Sequence, residues 1–138
     1  MKVLSISFLL AGLALAGCDK SHSVKEIAGP GGPAALRVSL TYNGTPIENG
    51  RVRMRYNATT PPANPLSWDD SADVSPLPGV AGQALFSSLY KGTYYLEGIG
   101  YLPTSTFKNP KIVKGGFAYT LSQNTAVNVT LPLTIVVE

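Results

Sequence analysis

The chain of 138 residues holds one Cys, one His and one Trp, and each scarcity closes a class of chemistry. A single Cys, Cys18, makes neither an intrachain disulfide nor a multi-thiolate zinc site. The only His, His22, sits in an aperiodic stretch where no rigid scaffold holds it against a nucleophile or a metal. No catalytic residue, metal or cofactor is therefore assigned, and an enzyme is not expected. Charged residues are 14% of the chain, against about 25% in an average soluble protein. The net charge is +3, and no basic cluster interleaves with stacking aromatics, so nucleic acid is not an expected partner. The longest apolar run, Val3 to Ala16 with Ser5 and Ser7 as breaks, falls short of the roughly twenty residues that span a bilayer. No stretch after Cys18 carries a helical period. Gly and Pro are plentiful instead, 14 and 11 residues, which favours short strands joined by many turns.

Met1-Lys2, the apolar run and a small-residue exit describe a secretory signal peptide over residues 1–17. The exit, Leu15-Ala16-Gly17-Cys18, resembles the bacterial lipobox. That resemblance implies cleavage between Gly17 and Cys18, a diacylglycerol on the Cys18 sulfur and acylation of the new amino group. Each buried methylene contributes about 0.8 kcal/mol, so several chains anchor what one holds only marginally. The expected address is a lipid-anchored position in the cell envelope, outer membrane or cell surface ahead of inner membrane. Asp19 fits part of the acidic display signal of Bacteroidetes-type lipoproteins, which Lys20 and Ser21 do not extend. It also resembles an inner-membrane retention signal of enteric bacteria, so both addresses stay open.

Residues 18–34 end in Gly29-Pro30-Gly31-Gly32-Pro33 and read as a lipidated flexible tether. From residue 35 to 138 the pattern is strand, turn, strand. Leu36, Val38, Leu40 and Tyr42 alternate with polar residues, as do Val52, Met54 and Tyr56 with Arg51, Arg53 and Arg55. Residues 57–79, with five Pro and the single Trp68, form a connection too long to lack structure or a role. Strands follow around Gln83–Ser87, Thr93–Tyr101, Ile112-Val113 and Phe117–Leu121. Val127, Val129, Leu131, Leu133, Ile135 and Val137 share one face of the last, where Pro132 marks an edge or a bend. The pattern predicts an all-β, Greek-key-type β-sandwich of about seven strands. Leu36, Val38, Leu40, Val52, Met54, Phe86, Leu89, Tyr94, Leu96, Val129 and Leu131 are its expected core.

Two stretches carry a family resemblance. Val38-Ser39-Leu40-Thr41-Tyr42-Asn43-Gly44-Thr45-Pro46, continuing to Gly50-Arg51-Val52, resembles the opening hairpin of carboxypeptidase-regulatory-like, or prealbumin-like, domains. Gly82-Gln83-Ala84-Leu85-Phe86-Ser87-Ser88-Leu89-Tyr90-Lys91-Gly92-Thr93-Tyr94 is similar to a later stretch of the same family. The resemblance implies that Phe86 and Leu89 plug the core, that Gly92 permits a tight turn and that the Tyr94 hydroxyl reaches nearby backbone. It covers residues 35–101 and says little about function, because this sandwich hosts transport, adhesion and spacer roles. Ring-opening hydrolases of the transthyretin-like fold need a domain His and a terminal Tyr-Arg-Gly-Ser motif; this chain ends Thr134-Ile135-Val136-Val137-Glu138.

Arg51, Arg53 and Arg55 are the most pointed feature, since period two places three guanidinium groups on one strand face, with Arg37 on a neighbouring strand. One reading is a ligand face for an acidic glycan or an envelope protein partner; the other is a solvent face paired with Glu48 or with Asp69, Asp70 and Asp73. Those three Asp lack the Gly and distal Glu of a calcium loop. Trp68, Tyr95 and Tyr101 offer sugar-stacking surface or simple capping of the sandwich. Asp70-Ser71-Ala72 resembles an O-glycosylation acceptor of Bacteroidetes, which implies modification at Ser71. The function classes are a membrane-anchored binding or spacer module and a purely structural envelope lipoprotein.

Overall fold

Alternating apolar residues build the strands here, and Gly, Asn and Pro end them. The computed structural model describes residues 27–77, 80–102 and 111–136. Among them the chain forms nine strands and no helix: β1 (Pro30–Tyr42), β2 (Thr45–Pro46), β3 (Gly50–Tyr56), β4 (Asp70–Asp73), β5 (Ser75–Leu77), β6 (Val80–Leu89), β7 (Gly92–Leu102), β8 (Lys111–Leu121) and β9 (Ala126–Ile135). Cys18, Gly17, Asp19 and His22 lie outside the described residues, as does Val137. The expected seven become nine because β2, β4 and β5 add three while the stretches expected at Ile112-Val113 and Phe117–Leu121 form the single strand β8; residues 57–79 contribute β4 and β5. Their Asp70-Ser71-Ala72-Asp73 and Ser75-Pro76-Leu77 lack the apolar alternation that marks a strand in sequence.

The strands pair in the order β4-β3-β7-β8-β9-β1-β6-β5, with β2 on β1. Only Val74 separates β4 from β5 in the chain, so the two ends of this path meet and the sheet forms a nearly closed, barrel-like shell. Val74 itself is buried at the crossing and donates its N–H to Gly50 O at 2.9 Å. Every ladder is antiparallel except β1–β9, which runs parallel from Ala35↔Ala126 to Tyr42↔Leu133. Pro132, which has no N–H to donate, lies within the continuous strand β9, which pairs with β1 as far as Leu133; Thr134 and Ile135 then pair with Lys114 and Val113 of β8. The sequence pattern allows a break between two short strands there; β9 instead runs unbroken through Pro132.

All eleven expected core residues are buried. The outlying members of two faces are less so: Tyr56 is half-buried and Ile135 is exposed. β7 lies against the core partly as bare backbone. A Cβ at Gly98 would stand 2.5 Å from Leu40 Cδ2 and 3.0 Å from Leu133 Cδ2, and one at Gly100 2.8 Å from Ile47 Cγ2. Leucines from β1 and β9 thus seat directly on the β7 main chain.

Strand polarity gives the molecule two ends. The near end carries the start of β1, Asn57, the Tyr90–Gly92 turn and residues 122–125. The far end carries the β1–β2 turn, Gly50, Asp73, Leu102 and Lys111. At the near end β1 begins at Pro30, inside the stretch expected to be a tether, and Ala28 is already buried. Ala28 and Asn57 exchange two hydrogen bonds, 2.9 Å from Ala28 N to Asn57 Oδ1 and 3.0 Å from Asn57 Nδ2 to Ala28 O. Gly29 N–H donates to Tyr94 Oη at 3.0 Å, Tyr94 Oη donates to Tyr90 O at 2.5 Å, and Tyr90 N–H donates to Gly29 O at 2.9 Å. Gly92, at φ 149°, leaves no room for a side chain, because a Cβ there would sit 2.8 Å from Ala28 N. The Gly/Pro cluster is therefore clamped into the fold.

Tyr94→Phe removes the hydroxyl and strands the buried Gly29 N–H, which costs about 1–3 kcal/mol. Denaturant melts should show that loss, with faster proteolysis near Ala28; an unchanged midpoint would refute the clamp. Burial also lifts the Tyr94 phenol above its ordinary value, opposed by the Gly29 N–H. A raised phenol pKa favours the fold below about pH 10. That share of stability should fade as pH rises through the folded-state value in wild type, and be missing in Tyr94→Phe.

Candidate functional site

The outward face of β4-β3-β7-β8 carries Asp73, Arg51, Arg53, Arg55, Glu97 and Lys114. Register alone sets its rows: Asp73, Arg51, Ile99 and Lys114 lie side by side, then Ser71, Arg53, Glu97 and Gly116, then Arg55, Tyr95 and Ala118. The three Arg share this face, as the alternation requires once Val52 and Met54 enter the core. Arg37 does not join them, because β1 pairs with β6, β9 and β2 and not with β3.

Each Arg meets a partner from its own chain. Arg51 holds Asp73 in a two-point contact, Nε to Oδ1 at 2.6 Å and Nη2 to Oδ2 at 3.2 Å. This contact raises the Arg51 guanidinium and lowers the Asp73 carboxyl from their ordinary values, hydrogen bonding being the larger cause in both. Arg53 Nη2 lies 2.8 Å from Glu97 Oε1, and Lys114 Nζ lies 2.9 Å from Glu97 Oε2. Arg55 Nη1 donates to Pro61 O at 3.3 Å. The Arg53 guanidinium also lies over the Trp68 ring, 5.1 Å from its centroid, within cation–π range. Trp68 in turn stacks on Tyr95 at 6.3 Å and 28°. Arg53 Nε and Trp68 Nε1 are enclosed with no hydrogen-bond partner, and Glu97 Oε1 meets Arg53 as an ion pair without hydrogen-bond geometry.

The aromatic trio named from sequence divides. Trp68 and Tyr95 meet, while Tyr101 stands six residues along β7, about 20 Å away, at the far end. There Gly50, Arg51, Arg53, Asp73, Ile99 and Tyr101 line a groove of about 510 Å³. The loop acids divide too. Asp69 Oδ2 accepts the Tyr56 N–H at 2.7 Å, Asp70 Oδ1 accepts the Ser71 N–H at 2.7 Å, and Asp73 pairs with Arg51. Among the described residues no three His, Cys, Asp or Glu converge as metal ligands would. Ser71 is exposed on β4 opposite Arg53.

Glu97, only 6% exposed, was not singled out by the sequence. Its one local signal is an acidic residue on the polar phase of a strand that otherwise presents Tyr95 and Ile99. Its pairing with Arg53 depends on the β3–β7 register, which spans more than forty residues of chain. No model of a known protein family matches the chain, and no curated protein matches it either. The resemblance to prealbumin-like domains therefore rests on the quoted residues alone.

Proposed function

We propose that the chain is an exported lipoprotein, acylated on Cys18 after removal of residues 1–17, that holds a non-catalytic binding module on the outer membrane or cell surface. The module is a Greek-key sandwich of the prealbumin-like type, and its ligand side is the outward face of β3 and β7. The observation that carries this reading is Leu15-Ala16-Gly17-Cys18 behind an apolar run, with the only thiol of the chain at its end. The clamp at Ala28 and Gly29 supports it. Nine residues lie between Cys18 and Ala28, a reach of at most about 35 Å at full extension, which bounds how far the near end stands from an acylated Cys18. A second reading, a structural envelope part with no ligand, draws support from the pairing of every Arg on that face within the chain.

Fatty-acid labelling in a Gram-negative host tests the anchor. Wild type should incorporate labelled palmitate and fractionate with membranes, and Cys18→Ala should lose the label and become soluble. A Cys18→Ala protein that stays with the membrane through detergent-free washing would sink the proposal. Separating inner from outer membranes in the same experiment reads the address.

A further inference from the structure

We infer that the far-end groove is a carbohydrate subsite whose ligand is a neutral sugar chain; the inference rests on the binding-module reading above and names its ligand class. A sugar hydroxyl both donates and accepts, so a site for it presents both functions side by side, next to an apolar surface for the ring's C–H face. Arg51 and Asp73 supply the first requirement. Arg51 offers only donors and Asp73 only acceptors, and their two-point contact holds the pair at the groove in a fixed relation. Tyr101, 45% exposed, and the half-buried Ile99 beside Arg51 supply the second. The groove's volume lies within the range of about 300–1,000 Å³ usual for small-ligand sites.

Charge selects between a neutral and an acidic chain. An anion needs guanidinium donors that no carboxylate already occupies. Asp73 takes Nε and Nη2 of Arg51, and Glu97 draws both Arg53 and Lys114. The two cations that line the groove, Arg51 and Arg53, are matched by the two carboxylates Asp73 and Glu97, Lys114 does not line it, and Asp73, itself in the lining, repels a uronate. The pairs also fix the side chains before any ligand arrives, so binding orders little that is mobile. The groove sits at the end opposite the N-terminal clamp.

Calorimetric titration of the full-length protein in detergent with cellohexaose, mannohexaose and hexagalacturonate tests the inference, and Trp68 emission gives a second readout through Arg53. At least one neutral hexasaccharide should bind equally at low and physiological salt. Tyr101→Ala and Asp73→Asn should each weaken it about tenfold with the thermal midpoint unchanged. Three results would overturn the inference: binding of hexagalacturonate alone that fades with salt, neutral-sugar binding that survives both substitutions, or no binding to any of the three. Anchoring is scored separately by acylation of Cys18, so a labelled, membrane-bound protein that ignores sugars defeats this inference and leaves the anchor standing.

Discussion

Gly98→Val should lower the thermal midpoint by about 10–20 °C, the largest single-site effect expected in this fold. The new Cβ alone would stand 2.5 Å from Leu40 Cδ2, 3.0 Å from Leu133 Cδ2 and 3.2 Å from Leu131 Cδ2. Leu40 and Leu131 are fully buried and Leu133 nearly so, so none has solvent to swing into. Forcing extra methyl groups into such a core costs about 3 kcal/mol or more, and each kcal/mol moves the midpoint of a domain this size by several degrees. Gly98→Ala should cost less, because a single methyl asks only for small shifts of leucine ends. The paired variant Gly98→Ala with Leu40→Val should recover part of that loss. A Gly98→Val protein that melts like wild type would mean that β1 and β9 do not pack on bare β7 backbone.

The second large effect is expected at Glu97. Its side chain is 8% exposed and sits between Arg53 and Lys114. Removing one member of a buried pair costs about 3–5 kcal/mol. Arg53 and Lys114 keep 26% and 45% of their side-chain surface, so water softens the penalty, and Glu97→Ala should cost about 2 kcal/mol. Arg53→Met alone should cost less, since Glu97 retains Lys114. Combining Glu97→Leu with Arg53→Met should restore part of the loss, because an apolar pair of similar volume leaves only Lys114 without its partner, and Lys114 keeps 45% of its side-chain surface in water. Denaturant melts of wild type, Glu97→Leu, Arg53→Met and the double variant give the coupling directly. Strict additivity would show that the two residues act independently and that this ion pair does not organise the β3–β7 face.

The contrast between these two sites shows what the sequence can carry. Core positions on β1, β3, β7 and β9 were legible because strand alternation is a local property, readable in any six residues. Gly92 and the Tyr94 hydroxyl were legible through a resembling motif. The partnership of Arg53 with Glu97 was not, since only the register of two distant strands brings them together, and alternation leaves Arg53 equally free to face Ser71 or solvent. Trp68 was ambiguous for the same reason: nothing local says that the loop returns across Arg53 and Tyr95. The start of β1 was misread because Gly29-Pro30-Gly31-Gly32-Pro33 has linker composition. In the fold that composition serves close contact. The register slips between Pro30 and Ala34, both opposite Leu89, and a Cβ on Gly32 would run into the Leu89 carbonyl.

The parallel pairing of β1 with β9 has a mechanical consequence. A pull on the chain before Ile27 enters the shell through the Pro30 end of β1 and runs along that strand's axis. β1 is an interior strand, with β9 on one side from Ala35↔Ala126 to Tyr42↔Leu133 and β6 on the other from Leu36↔Phe86 to Ser39↔Gln83. The load therefore falls on both ladders in shear, so their hydrogen bonds share the force and must fail together rather than unzip one at a time. The clamp of Asn57, Tyr90 and Tyr94 on Ala28 and Gly29 is the first element to feel that force, and it stands in series ahead of both ladders.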